Sequence, residues 1–171
     1  MTLSDLSSIG SFVSGIAVVV SLVFVGVQVL QNTRAMRSQI HQNFTDGWLE
    51  IGALVASNAK VFAVGIAADE KTFAAMPDPD KLCFMAIIFA FFKHYENMFL
   101  QHKEGFIRDE DWNAWTNHMF LYWHMPGVRL WWKVRREAFS PEFRHFLETS
   151  QQPAMPSQVD IFTQVSNSTS K

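Results

Sequence analysis

The chain has one cysteine among 171 residues, so no internal disulfide can staple it. Cys83 sits within the apolar run LCFMAIIFAFF, where an inert core thiol is expected, in keeping with a reducing compartment. There is no phosphate-binding glycine loop, no nucleophile elbow, no HExxH sequence and no Cys-x-x-Cys-His haem attachment site. These absences leave no motif from which to assign a catalytic residue or a cofactor, and none is expected. A formal net charge of -2 and the lack of a nucleic-acid-binding motif argue against nucleic acid as a partner. No strand pattern and no internal repeat occurs, so the expected fold is all-α.

Charge is also missing near the start. No charged residue lies between Asp5 and Arg34, and residues 9–30 read IGSFVSGIAVVVSLVFVGVQVL. As a helix this run is about 33 Å long, enough to cross a hydrocarbon core of about 30 Å. Spanning as a helix lets the backbone groups satisfy one another in lipid. A cleavable signal peptide would want a basic start, a shorter apolar core and a small-residue cleavage site. Here the start is MTLSDLSS and the run ends in VQVLQNTR. A buried globular helix, apolar on every face, would need a larger core than the rest of the chain provides. The expected organisation is a transmembrane anchor over residues 1–33, a helical cytoplasmic domain over 34–149 and a polar tail over 150–171.

Arg34 and Arg37 follow the apolar run, whereas only Asp5 precedes it. The positively flanked end stays inside, which puts the N-terminus outside a bacterial inner membrane and the body in the cytoplasm. Ser11-x-x-x-Gly15 fits the small-x-x-x-small pattern by which membrane helices pair. Small residues are also simply common in such helices.

Beyond the anchor the helix should continue to about Asn58 with a bend near Gly47, carrying Met36, Ile40, Phe44, Trp48 and Ile51 at helical spacing. A short apolar helix is expected over 60–69, then a break at MPDPD. Asp78 is placed to cap the next helix, with Pro79 in its first position. Residues 82–92 are apolar on all sides and too short to span, so they should form the centre of the bundle, ending at Gly105. Asp109 can cap a further helix with a stripe of Trp112, Trp115, Met119, Phe120 and Trp123. After Met125-Pro126-Gly127 comes a helix with Val128, Trp131, Trp132 and Arg135 on one side. The last begins at Ser140-Pro141 and buries Phe143, Phe146 and Leu147. From Ser150 the chain is Gln, Ser, Pro, Thr and Asn with a weak apolar island at Val159, Ile161 and Phe162.

Three pieces of the chain together resemble an uncharacterised group of bacterial hypothetical proteins. They are LSDLSSIGSFVSGIAVVVSLVFVGVQVLQNTRAMR at the start, YENMFLQHKEGFI in the middle with Trp112 following, and WWKVRREAFSPEFRHFL near the close. The resemblance covers most of residues 3–148. It implies an N-terminal membrane helix and a helical cytoplasmic body, with no assigned activity and no functional residue to carry over.

Glu96 shares a helix face with Phe89, Phe92 and Leu100, so its carboxylate must be paired, hydrogen-bonded or protonated. Arg129, Arg135, Arg144 or the Tyr95 hydroxyl are the expected partners. It serves either as a pin fixing helix register or as a proton carrier or metal ligand. Glu142-x-x-His145 matches one carboxylate–histidine unit of a di-iron bundle, but the second unit is missing. His94 with Met98, or His118 with Met119, have the chemistry to ligate haem. Arg129, Lys133 and Arg136 form a basic stripe beside Trp131 and Trp132. Arg129, Trp132, Lys133 and Arg136 therefore suit anionic lipid headgroups, or else a solvated face paired with Glu137 and the acidic stretch 109–111.

The functional expectation is a non-catalytic, single-pass accessory or scaffold subunit whose partners are membrane lipid and other integral membrane subunits. A membrane-tethered sensor binding a small apolar ligand in its helical body is the second reading. A metal- or haem-dependent enzyme is the third.

Overall fold

The computed structural model describes residues 3–150, with side chains from residue 11 onward; the polar tail from 151 lies outside the described residues. The described chain is 89% helical and has no strand, so the fold is all-α: a long apolar N-terminal helix followed by a helical body. Helix α1 runs Leu3–Ser57 without a break. Two compact units divide after Gln42, inside α1.

The first unit is helix alone. Its described side chains from residue 11 to 39 are all exposed, including Phe12, Leu22, Val23, Phe24 and Leu30, each more than half accessible. The helix over Ser11–Ser57 is long and apolar enough to cross a membrane. Ser21 and Thr33 return their hydroxyls to the carbonyls of Ala17 and Val29, at 2.8 and 2.9 Å. These two hydroxyls are thereby satisfied within the helix itself.

The second unit is a bundle around α4 (Asp78–Lys103). The end of α1 contributes Phe44 and Ile51, both buried, and Trp48 between them. Helix α2 (Ala59–Ala67) crosses α4 and α6 (Pro126–Arg135) through a glycine contact. A methyl on Gly65 would overlap the Phe84 ring, and one on Gly127 would overlap the Gly65 carbonyl. The two backbones approach as closely as they do because neither residue has a side chain. Helix α5 (Asp109–Trp123) lies along α4, and α7 (Pro141–Glu148) closes the bundle with Phe143 and Leu147 fully buried. Rings interlock at the centre: Phe92 meets Trp123, Trp131 and Trp132 at centroid separations of 6.0, 5.5 and 6.2 Å.

Several boundaries differ from expectation. A short helix α3 (Glu70–Ala75) lies between the apolar helix expected over 60–69 and the MPDPD break, capped by the Asp69 carboxylate accepting from the Thr72 N–H at 2.7 Å. At six residues it is too short to show periodicity, and its cap is the one legible signal. Helix α4 begins at Asp78 rather than after it, with Pro77 in the capping position, so Asp78 pairs with Lys81 at 3.2 Å instead of capping. Likewise Arg108 precedes α5, and Asp109 is its first residue. Helix α1 stays helical through Gly47, where a methyl would come 2.6 Å from the His94 ring. Helix α4 is not buried all round, since Leu82 is 68% exposed. Ser140 caps α7 as expected, accepting from the Phe143 N–H, and Gly105 takes the left-handed conformation (φ 74°) that ends α4.

Candidate functional site

Glu96 is buried, 7% exposed, and none of its expected partners reaches it. Its Oε2 accepts from Lys93 Nζ at 2.7 Å and its Oε1 accepts from the Ser140 backbone N–H at 2.6 Å. The Lys93 ammonium also donates to the Ala138 carbonyl at 2.6 Å and lies 4.6 Å from the centre of the Phe139 ring. One lysine–glutamate pair from α4 therefore grips three consecutive residues, 138–140, just where the chain enters α7. Burial raises the Glu96 pKa, but the hydrogen bonds from Lys93 and Ser140 outweigh it and hold the carboxyl below its ordinary value. The pair ties α4 to the segment that enters α7. The supposed arginines are occupied elsewhere: Arg129 lies over the Trp123 ring at 4.2 Å, and Arg144 bonds Glu137. Arg135 is exposed, not on the apolar side of α6. The i, i+3 spacing of Lys93 and Glu96 on α4 is the signal that names this partner, whereas the fold-back of 138–140 that brings the Ser140 N–H to Oε1 leaves no such mark.

A second cluster joins α1, α4 and α5 around Trp48. The Trp48 indole stacks on Trp115 at 5.2 Å and meets the edges of Phe91, His94, Tyr95 and His118. The Tyr95 hydroxyl lies 2.6 Å from His118 Nδ1. Burial, with Tyr122 adding repulsion, pushes the Tyr95 pKa well up, so the hydroxyl keeps its proton and shares one hydrogen bond with Nδ1 whose direction follows the imidazole tautomer. Burial also lowers the pKa of both His94 and His118, favouring neutral rings. Trp48 Nε1 and His94 Nε2 are buried without a hydrogen-bond partner among the described residues. The cluster is an apolar ring stack with one internal hydrogen bond, suited to locking α1 onto α4 and α5.

The remaining candidates are placed as follows. Trp132 is buried and donates its indole N–H to Glu148 at 2.9 Å, so it does not face a lipid surface. Lys133 pairs with Glu70 at 3.3 Å, and Arg136 with Glu137 and Glu148, each at 3.4 Å. Arg129 and Lys133 are exposed. The basic stripe is thus partly neutralised by Glu137, as weighed, and by Glu70 and Glu148, which were not; the stretch 109–111 instead engages Arg108 and His102. Glu142 is exposed and pairs with Lys103 at 2.6 Å. No group of three or more His, Cys, Asp or Glu side chains converges among the described residues. Cys83 is half-buried, its Sγ 3.3 Å from Asn58 Oδ1.

On the first unit, Ser11 and Gly15 line a shallow apolar groove with Phe12, Ile16, Val19 and Val20. Nothing lies within 4 Å of where a Gly15 methyl would stand, so the groove admits a close neighbour. Comparison of the chain with family models, with curated proteins and with solved structures finds no match in any of the three.

Proposed function

We propose that this chain is a single-pass, membrane-anchored accessory or scaffold subunit of a larger bacterial inner-membrane assembly, with its helical body in the cytoplasm. The observation that carries the reading is the exposure of α1. Apolar side chains from Phe12 to Leu30 stand open on every face of the helix. Soluble proteins rarely expose contiguous apolar patches beyond about 300–600 Å². A helix of this composition is stable when hydrocarbon solvates it, and Arg34 and Arg37 then mark the cytoplasmic side.

The groove at Ser11 and Gly15 supports pairing with another membrane helix, where close backbone approach replaces the hydrophobic effect as driving force. The body supports the non-catalytic part of the reading. Its polar clusters are consumed in holding helices together: Glu96 on Lys93 and Ser140, Tyr95 on His118.

The test is purification of the full chain from native membranes in mild detergent. Integral membrane proteins co-eluting in fixed proportion support the reading, and loss of that co-elution in Gly15→Leu would place the contact on the groove. A monodisperse monomer free of other subunits contradicts it.

A further inference from the structure

The end of α1 is seated on α4 and α5 through Trp48, and two imidazoles line that seat. His94 of α4 and His118 of α5 both meet the Trp48 indole edge-on, at 5.1 and 5.2 Å. The edge of the His94 ring that carries Nδ1 and Cε1 lies against the Gly47 backbone, so closely that not even a methyl fits between them. Its Nε2 is buried and has no hydrogen-bond partner among the described residues. An imidazolium carries a proton on each nitrogen, so a charged His94 would hold a buried N–H here without an acceptor or room for a water. The other unpartnered polar atom of the cluster, Trp48 Nε1, can only donate.

His118 meets the same obstacle by another route. Its Nδ1 shares one hydrogen bond with the Tyr95 hydroxyl at 2.6 Å, and Tyr95 is fully buried with no other hydrogen-bond partner among the described residues. Once both ring nitrogens carry protons, Nδ1 can only donate, and the phenol proton is left without an acceptor. Separating α1 from α4 and α5 admits water to both rings and removes the conflict.

Among the described residues no countercharge offsets this. Helix α1 offers His41, Asp46 and Glu50, all exposed, and the last two stand two positions from Trp48, off its face. Helix α4 offers Lys93 and Glu96, which engage each other and residues 138–140. On α5 the Tyr122 ring meets His118 at 5.3 Å, while the acids at 109–111 engage Arg108 and His102. Helix α2 reaches the cluster through Phe62, and its Lys60 is exposed. Aromatic faces attract a cation but replace neither the missing acceptor nor the lost water. Burial accordingly holds both imidazoles below their ordinary 6.5.

We propose that this seat is an acid-released latch: when His94 and His118 take up protons, residues 44–51 of α1 come away from α4 and α5 while α2, α4 and α6 stay packed. The latch is fully closed above pH 6.5 and opens as pH falls below it, because the released rings bind protons before the seated ones do. The crossing at Gly65 and Gly127 brings together backbone and the Phe84 ring, neither of which titrates, so it is indifferent to this change. The assignment rests on the body alone and is independent of the membrane reading.

Hydrogen exchange of the full chain in detergent tests it, read by mass spectrometry at about pH 7.5 and about pH 5.5 with labelling times scaled to the intrinsic rates. Each imidazole that is charged only in the released form adds up to about tenfold per pH unit. The expected result at the lower pH is a loss of protection of about tenfold or more in peptides covering 44–51, with peptides covering 126–135 unchanged. The Glu96 carboxyl, held below 4.5, stays ionised over this range, so its grip on Ser140 is constant. His94→Gln and His118→Gln should each remove part of the change and together abolish it, and glutamine still offers the Tyr95 hydroxyl an acceptor. Equal protection of 44–51 at the two pH values would overturn the proposal. So would a uniform loss over the whole body, or a pH effect that survives in the double variant. Should the double variant not fold, an undiminished change in both single variants overturns it equally.

Discussion

Replacing Glu96 distinguishes a structural pin from a chemical group. The Glu96→Ala change removes the acceptor for the Ser140 N–H and the partner of Lys93. A hydrogen bond to a charged group contributes about 1.5–3 kcal/mol, and a buried N–H left unpaired adds to the loss. The lysine side is worth less, since its side chain is 39% exposed, keeps the Ala138 carbonyl and is screened by water. The sum is about 2–4 kcal/mol, most of it from Ser140. Glu96→Gln keeps an oxygen facing Ser140 and loses only the charge, so it should cost about 1 kcal/mol. Denaturant unfolding followed by tryptophan fluorescence in a fixed detergent measures both, and a cycle with Lys93→Met isolates a coupling of about 1 kcal/mol or less. Equal costs for Glu96→Ala and Glu96→Gln, or a cost below about 0.5 kcal/mol for either, would refute the gripping geometry. The pH dependence follows the same logic. Because the folded carboxyl titrates below its ordinary 4.5, its stabilisation is present above that value and lost as pH falls through the folded pKa. Glu96→Gln should flatten that acid limb.

Three further outcomes follow from the packing. Gly127→Ala drives a methyl into the Gly65 carbonyl and should cost about 3 kcal/mol or more, lowering the unfolding midpoint by roughly 4 °C per kcal/mol; a neutral result would mean α2 and α6 do not cross there. Tyr95→Phe leaves His118 Nδ1 without its hydrogen-bond partner and should cost about 1–3 kcal/mol in denaturant unfolding; a neutral result would mean the bond does not hold α4 to α5. His94 and His118 are depressed below 6.5 by burial, so the unfolded chain binds their protons first. Stability should therefore fall as pH drops below 6.5 toward the folded values, and replacing both with Gln should shrink that loss.

The all-helical plan was legible because it rests on local signals. The charge gap between Asp5 and Arg34 marks the apolar helix, and Ser140-Pro141 and Gly105 mark helix ends by chemistry that acts over a few residues. Position 96 was legible as a buried charge from its place among Phe89, Phe92 and Leu100. Of its partners, Lys93 stands at i, i+3 spacing on the same helix and was within reach of a pattern rule, whereas Ser140 lies far along the chain and offers only a backbone N–H, which every residue but proline carries. Trp132 misled for a related reason. Its spacing beside Arg129 and Lys133 suggested an interfacial ring, but Glu148 turns the indole inward. The glycine crossing of α2 and α6 left no readable mark either, since Gly65 and Gly127 are separated by most of the body and each alone resembles a helix breaker.

The claim on which the account depends is that α1 is embedded in lipid as an intact helix. Membranes from cells making the full chain, washed in alkaline carbonate and sedimented, test it most directly when the recovered protein is weighed by mass spectrometry. The account predicts the uncleaved chain in the pellet, released by detergent alone. Uncleaved protein in the supernatant, or a shortened chain lacking the apolar run, would contradict it.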